Sequence, residues 1–109
     1  MRRFFGRMKK LDYTLSISMS EASPPQEAYV EVRRGDGRVW GARLHTPESV
    51  RAILDEWRRW GERHGERSGL YFWAPDVIVV CEISRDAIVT LVEDLMVEGE
   101  LELAFAPVG

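Results

Sequence analysis

The side chains in this sequence that could perform chemistry are two histidines and one cysteine: His45, His64 and Cys81. A metal site needs several nitrogen, sulfur or carboxylate ligands at workable spacing, and no two of these three residues stand at such a spacing. His45 directly precedes a predicted helix, and His64 falls in the last turn of that helix, where a cation interacts favourably with the helix dipole. Both positions are typical of structural histidines. We therefore predict neither a metal nor a cofactor.

Nucleophilic and acid–base catalysis are also disfavoured. Cys81 lies between Val80 and Glu82, and this apolar, acidic setting disfavours the thiolate that a nucleophile needs. A buried, unreactive cysteine is the expectation. The adjacent acids at 55–56 and 93–94 lie in predicted helices, where neighbouring side chains point about 100° apart and cannot act as a facing pair. The sequence predicts a non-catalytic protein.

Acidic residues concentrate near the end of the chain and indicate a binding surface. The stretch from Glu82 to Glu102 holds seven acids and a single base, Arg85. Three of these acids fall opposite the apolar stripe of a predicted helix, and with a fourth near its end we expect them to form a solvent-facing acidic ridge. Such a ridge attracts a basic protein partner and repels nucleic acid. A solvated helix face that only keeps the protein soluble is the competing interpretation. Its predicted members are Asp86, Glu93, Asp94 and Glu98.

Aromatic residues form the second candidate binding surface. The chain has four tryptophans, which both fill small cores and anchor protein interfaces. In a predicted strand at 70–74, Tyr71 and Trp73 point to one side, and this side is exposed unless another element covers it. Trp60 lies at the edge of the apolar stripe of its helix. Burial in the core is the competing interpretation for all three residues.

The first ten residues carry a separate charge pattern that suggests an alternative function. They contain five bases and no acid, whereas the remaining chain has 10 bases and 18 acids. We predict a flexible leader over residues 1–10 and a single domain over 11–109. A basic leader of this kind can neutralise phosphates, which is the basis of the nucleic-acid alternative. Its candidate contacts are Arg2, Arg3, Arg7, Lys9 and Lys10.

Strands are predicted where apolar residues alternate or cluster. Strict alternation predicts a strand over 11–19, with one face buried. Two further strands flank a turn at Gly35-Asp-Gly37 and should form a hairpin, because glycines supply the positive φ of tight turns. The apolar run at 77–83 resembles a central strand. The predicted strands after the first are 28–33, 38–44, 70–74, 77–83 and, as an edge strand or a tail packed on the sheet, 100–105.

Two helices are predicted from their caps and periodicity. Thr46-Pro47 opens the first, with apolar residues at helical spacing from Val50 to Trp60, and it should end near 63–65. Ser84 opens the second and Gly99 ends it. The order is therefore βββ-α-ββ-α-(β), with a hairpin followed by a helix occurring twice, over 28–64 and 70–98. This pattern predicts a two-layer α+β domain: a mainly antiparallel sheet with both helices on one face.

Cysteine content and hydropathy indicate the cellular compartment in which we expect the protein. A single cysteine cannot form an intramolecular disulfide, so the cytoplasm is the expected compartment. The longest dense apolar stretch, 77–81, is far shorter than the ~20 residues that span a bilayer. Our leading hypothesis is a small protein-binding module of the immunity-protein, antitoxin or accessory-subunit type. Its partner is another protein or a second copy of the chain, and a nucleic-acid accessory protein is the alternative.

Overall fold

Three strands, a long helix and a mixed C-terminal part succeed one another along the chain. A computed structural model describes residues 12–64 and 69–109, with the helical backbone alone for 60–64. The strands and helices, in chain order, are β1 Tyr13–Met19, β2 Glu27–Arg34, β3 Val39–His45, α1 Pro47–His64, β4 Val77–Val79, α2 Arg85–Glu98, α3 Leu101–Ala104 and β5 Ala106–Pro107.

The first three strands form the antiparallel meander that the sequence predicts. β1 pairs with β2 over seven residues, from Tyr13 opposite Arg34 to Met19 opposite Ala28. β2 continues into β3 through a turn in which Gly37 has a φ of 91°. Positive φ is the conformation that favours glycine. The predicted hairpin and the predicted first strand are both confirmed.

The remaining strands complete a mixed sheet on the far side of β3. β4 pairs in parallel with the end of β3, since α1 carries the chain back along the sheet between them. β5 pairs antiparallel with β3 at Trp40 and Gly41. Both strands therefore lie against the same edge of β3. The predicted α+β class, with a mainly antiparallel sheet, is confirmed.

Both long helices begin at the residues that their capping chemistry predicts. The Ser49 amide donates to Thr46 Oγ1 at 3.1 Å, and the Ala87 amide donates to Ser84 Oγ at 3.1 Å. These bonds satisfy amides that have no partner within the helix. α2 ends at Gly99, whose φ of 73° is the left-handed conformation of a helix C-cap.

The core lies between one face of the sheet and the C-terminal helices. Alternate residues of β2 and β3 form one buried cluster with Ile88 and Val92 of α2 and with Leu101 and Phe105. In the part of the chain that the structure describes, α1 contributes no side chain to this buried set. Its apolar stripe remains half-buried. The sheet contributes Ala28, Val30, Val32, Ala42 and Leu44 to the core.

The predicted strand at 70–74 is wrong, and with it the second hairpin of the predicted repeat. This segment forms no ladder and runs along α1. The Phe72 ring stacks on Trp57 of α1, and this tertiary contact prevails over the β propensity of the aromatic residues.

The strand predicted at 77–83 is shorter than expected and lies at an edge. Only Val77–Val79 pair with β3, and the Val80 amide adds a last hydrogen bond to the His45 carbonyl. Cys81 comes after the end of the ladder and is exposed, so its predicted burial is wrong. An apolar run alone does not separate a central strand from an edge strand that continues into a loop.

The strand predicted at 100–105 is replaced by α3 and the two-residue β5. Alternation would place Leu101, Leu103 and Phe105 on one face. The structure buries Leu101 and Phe105 but leaves Leu103 84% exposed. Residues four apart share a helix face, which explains this burial pattern. The alternative expectation of a tail packed on the sheet agrees with the structure.

Two further expectations concern the start of the chain and its relation to membranes. The leader predicted at residues 1–10 lies outside the described residues. Among the helices of the described part, none is long and apolar enough to cross a membrane.

Candidate partner-binding surfaces

An aromatic groove lies between α1 and the irregular segment at residues 69–75. The Phe72 ring stacks on Trp57, with centroids 5.5 Å apart, and meets the His45 ring edge-on at 5.6 Å. Gly69 brings the segment against the helix: a Cβ at this position would lie 2.7 Å from the Arg58 backbone nitrogen. The groove has a volume of about 480 Å³, and Trp73 stands at its side.

The side chains on either side of Phe72 point outward. Leu70, Tyr71 and Trp73 are 79%, 60% and 64% exposed, respectively. We call these three residues the aromatic surface. Large apolar side chains grouped in this way mark interaction sites more often than isolated ones do. They come from four consecutive positions, with Phe72 as the anchor that holds the segment to α1.

The structure therefore exposes two of the three aromatic residues that the sequence singles out. Tyr71 and Trp73 are exposed, so the competing interpretation of burial in the core is wrong for both, and they lie in an irregular segment and not in a strand. Trp60 lies within α1, and its side chain is outside the described part. The strand prediction directs Leu70 away from Tyr71 and Trp73, but Leu70 is exposed as well.

The predicted acidic ridge is narrower than expected. Asp86, Asp94 and Glu98 are exposed and, together with Thr90, form a row along α2 at four-residue intervals. We keep the name acidic ridge for these three acids. Residues at this spacing lie on one helix face, so the row presents three carboxylates to solvent. A groove of about 390 Å³ between Cys81 and α2 borders the ridge at Asp86.

Glu93 is not part of this ridge, and its prediction as a solvent-facing residue is wrong. It is half-buried and accepts a hydrogen bond of 2.6 Å from the Tyr13 hydroxyl, 80 residues away in sequence. The contact joins α2 to β1. Burial, followed by the hydrogen bond and the negative charge of Glu93, raises the pKa of Tyr13 to about 12.

We expect this contact to make stability depend on alkaline pH. A folded pKa of about 12 lies above the ordinary value of 10.0, so the unfolded chain loses the Tyr13 proton first. The stabilisation is therefore complete below pH 10 and is lost as the pH rises towards 12. Tyr13→Phe should lose less stability than the wild type over this window. Urea denaturation at pH 9 and at pH 11 measures the difference, and parallel losses in both proteins would contradict it.

A polar cluster at the start of α1, in which His45 and Ser49 are buried, is absent from the sequence-based predictions. His45 Nδ1 lies 2.8 Å from Ser49 Oγ, and Ser49 Oγ donates to Glu27 Oε2 at 3.3 Å. Because the single Ser49 proton goes to Glu27, His45 Nδ1 is the donor to Ser49. Two features of the sequence could have predicted this cluster: the four-residue spacing of His45 and Ser49, and the position of Glu27 opposite His45 in the hairpin.

This cluster is structural in its geometry. Ser49 is buried in the first turn of α1, and His45 contacts Phe72, so the cluster ties the helix to the end of β3. The structural role expected of His45 from its position before the helix stays a prediction. Across the described residues, no group of three or more histidine, cysteine or acidic side chains could hold a metal ion.

Several arginines in the middle of the chain are paired with acids. Arg34 and Arg38 both approach Glu102, with nitrogen–oxygen distances of 3.6 and 3.7 Å. Arg43 lies 3.1 Å from Asp76. These side chains are thus parts of ion pairs and not a continuous basic groove. The five candidate phosphate contacts of the leader, Arg2, Arg3, Arg7, Lys9 and Lys10, lie outside the described residues.

Comparison of the chain with protein-family models, with curated proteins and with solved structures finds no match. The function must therefore be inferred from side-chain exposure, charge and hydrogen bonding alone.

Proposed function

We propose that this protein is a small, non-catalytic module that binds another protein through the aromatic surface. The observation that carries the proposal is the exposure of Tyr71 and Trp73 beside Leu70. Tyrosine and tryptophan are the residue types that most often anchor protein interfaces, since they combine a large apolar area with few rotatable bonds. An immunity protein, an antitoxin or an accessory subunit would use such a surface.

The contact of Phe72 with α1 means that the aromatic surface is already ordered before a partner binds it. Phe72 fixes the segment against α1, so the backbone that presents Tyr71 and Trp73 is held in place by a ring stack. A partner that buries these side chains then loses less conformational entropy than it would on a floppy loop. The groove beside Trp73 provides a concave surface into which an apolar side chain of the partner can insert.

The acidic ridge supports a partner with a basic surface. Asp86, Asp94 and Glu98 are exposed along one side of α2. Exposed charges act mainly on the rate of association, because they steer the approach of an oppositely charged partner. A protein partner is favoured over nucleic acid, since the ridge repels phosphates and Arg34, Arg38 and Arg43 are paired with acids.

The test compares two variants of the full chain. The double variant Tyr71→Ser/Trp73→Ser removes both anchors, and Leu103→Ser removes another exposed apolar side chain, from α3, as the control. The tagged proteins are crosslinked in the native cells and their bound proteins quantified by mass spectrometry. We expect at least one protein to be bound by the wild type and by Leu103→Ser and to be lost from the double variant. Each interface anchor typically contributes about 2 kcal/mol or more.

Identical sets of crosslinked proteins from all three chains would contradict the proposal.

Once the partner is identified, its association rates test the acidic ridge. Asp86→Lys/Glu98→Lys should slow association and weaken its dependence on salt, while the aromatic double variant should mainly speed dissociation. Exclusive recovery of RNA or DNA, lost on removal of residues 1–10, would instead favour the nucleic-acid alternative.

A further inference from the structure

The two edges of the sheet are protected to different degrees. On one side, the edge of β3 is covered by β4 and β5, which are three and two residues long, and Pro107 of β5 has no amide to donate. On the other side, β1 pairs with β2 only. No strand in the described part of the chain pairs with the outer edge of β1. This edge is seven residues long.

The hydrogen bonds that flank β1 show which backbone groups face outward. The Ser20 amide donates to the Glu27 carbonyl, and the Gly35 amide donates to the Asp12 carbonyl. In an antiparallel ladder, alternate residues direct both backbone groups to the same neighbour. Even-numbered residues of β1 therefore face β2. The residues whose amide and carbonyl face outward are Tyr13, Leu15, Ile17 and Met19.

β1 lacks the features by which exposed edges avoid pairing. Natural edge strands are usually interrupted by charged residues, proline or a bulge. The sequence from Tyr13 to Met19 contains no charged residue and no proline, and its register with β2 runs unbroken. A regular, uncharged strand of this length is a template for an additional strand.

We propose that β1 pairs with β1 of a second copy of the chain, antiparallel and with Ser16 on the two-fold axis. In this register Tyr13 faces the partner's Met19, and Leu15 faces the partner's Ile17. Every outward amide then finds a carbonyl, giving about eight hydrogen bonds between the two copies. The sheets of the two copies join into one.

The side chains that would face each other across this interface support a second copy as the strand that pairs with β1. The paired side chains on the core side of the sheet are aliphatic or, at Tyr13, an aromatic ring whose hydroxyl bonds to Glu93 of its own chain. Met19, 39% exposed, is covered by the partner's Tyr13. On the other face, Ser16 faces the partner's Ser16 and Thr14 faces the partner's Ser18. Apolar residues thus meet apolar residues, hydroxyls meet hydroxyls, and no like charges are opposed.

Sedimentation equilibrium of the full chain tests the proposal. The wild type should be a dimer. Ser16→Lys places two lysines directly opposite each other on the exposed face. Glu31, opposite Ser16 on β2, offsets part of their repulsion, so the dimer dissociation constant should rise roughly two- to fivefold at low salt. Ser18→Lys is the matched control, because its lysine faces the partner's Thr14, and it should remain as dimeric as the wild type. Thermal melting establishes that the variants are folded.

A mixture of Ser16→Lys and Ser16→Glu chains provides a second test. Opposite charges then meet on the two-fold axis, so the heterodimer should be tighter than either homodimer. A wild type that stays monomeric up to its solubility limit would overturn the proposal, as would a dimer weakened by Ser18→Lys and not by Ser16→Lys. A dimer lost only in Tyr71→Ser/Trp73→Ser would place the contact on the aromatic surface. Because that surface is separate from β1, the proposed function can fail while this dimer stands.

Discussion

Ile88→Ala is expected to lower the free energy of unfolding by about 2–5 kcal/mol, the usual loss for a fully buried large-to-small substitution. Ile88 is fully buried on α2, against the sheet residues of the core. The substitution removes apolar contacts and leaves a cavity that its neighbours fill only in part. Urea denaturation followed by circular dichroism measures the change, provided that the dependence of the free energy on urea keeps its slope.

Ile53→Ala is the matched control for this prediction. Ile53 is also an isoleucine on the apolar side of a helix, but it is half-buried on α1 and outside the core cluster. Its truncation should cost about 1 kcal/mol, because less apolar area leaves water on folding. Equal losses for the two variants would mean that α1 belongs to the same core as α2.

The features that could be predicted from the sequence are those determined by local chemistry. Alternation identifies β1, glycines identify the turn between β2 and β3, and side-chain hydroxyls identify the first residues of α1 and α2. In each case the stabilising contact lies within a few residues, as in the bonds from Ser49 to Thr46 and from Ala87 to Ser84. Such contacts form within the segment itself and do not depend on how the rest of the chain folds.

The features that could not be predicted depend on contacts between distant segments. Residues 70–74 have strand-forming side chains, but the stack of Phe72 on Trp57 is a contact that only the folded chain supplies. At the C-terminus, apolar residues at 101, 103 and 105 fit both a strand and a short helix. The structure selects the helix, which buries two of these three side chains against the core.

The same distinction applies to the candidate binding surfaces. A helical wheel places Glu93 beside Asp94, yet the position of Glu93 relative to the sheet depends on its bond with Tyr13, 80 residues away. The predicted exposure of Trp73 rests on the assumption of a strand. It holds for another reason: the segment is anchored by one ring, and the side chains on either side of that ring face solvent.

Gly69→Ala is expected to detach the aromatic surface from α1. Gly69 has a φ of 90°, and an added Cβ would lie 2.7–2.8 Å from backbone and side-chain atoms of Arg58. An L residue is strained at this φ, and the backbone of a helix cannot move aside as a flexible side chain can. The segment must therefore shift, which separates Phe72 from Trp57. We expect loss of the near-ultraviolet circular dichroism of the ring stack and weaker binding of the protein partner.

Gly37→Ala separates the effect of the contact from that of backbone strain. Gly37 has a φ of 91°, nearly the same as Gly69, but a Cβ there would meet no atom within 4 Å. Alanine at position 37 should therefore cost only the conformational strain, about 1–2 kcal/mol, and leave the stack of Phe72 on Trp57 intact. If both variants kept the ring signal and lost equal stability, the close approach of Gly69 to α1 would not be what holds the aromatic surface in place. If Gly69→Ala alone loses the signal, then a residue without a side chain positions the aromatic surface.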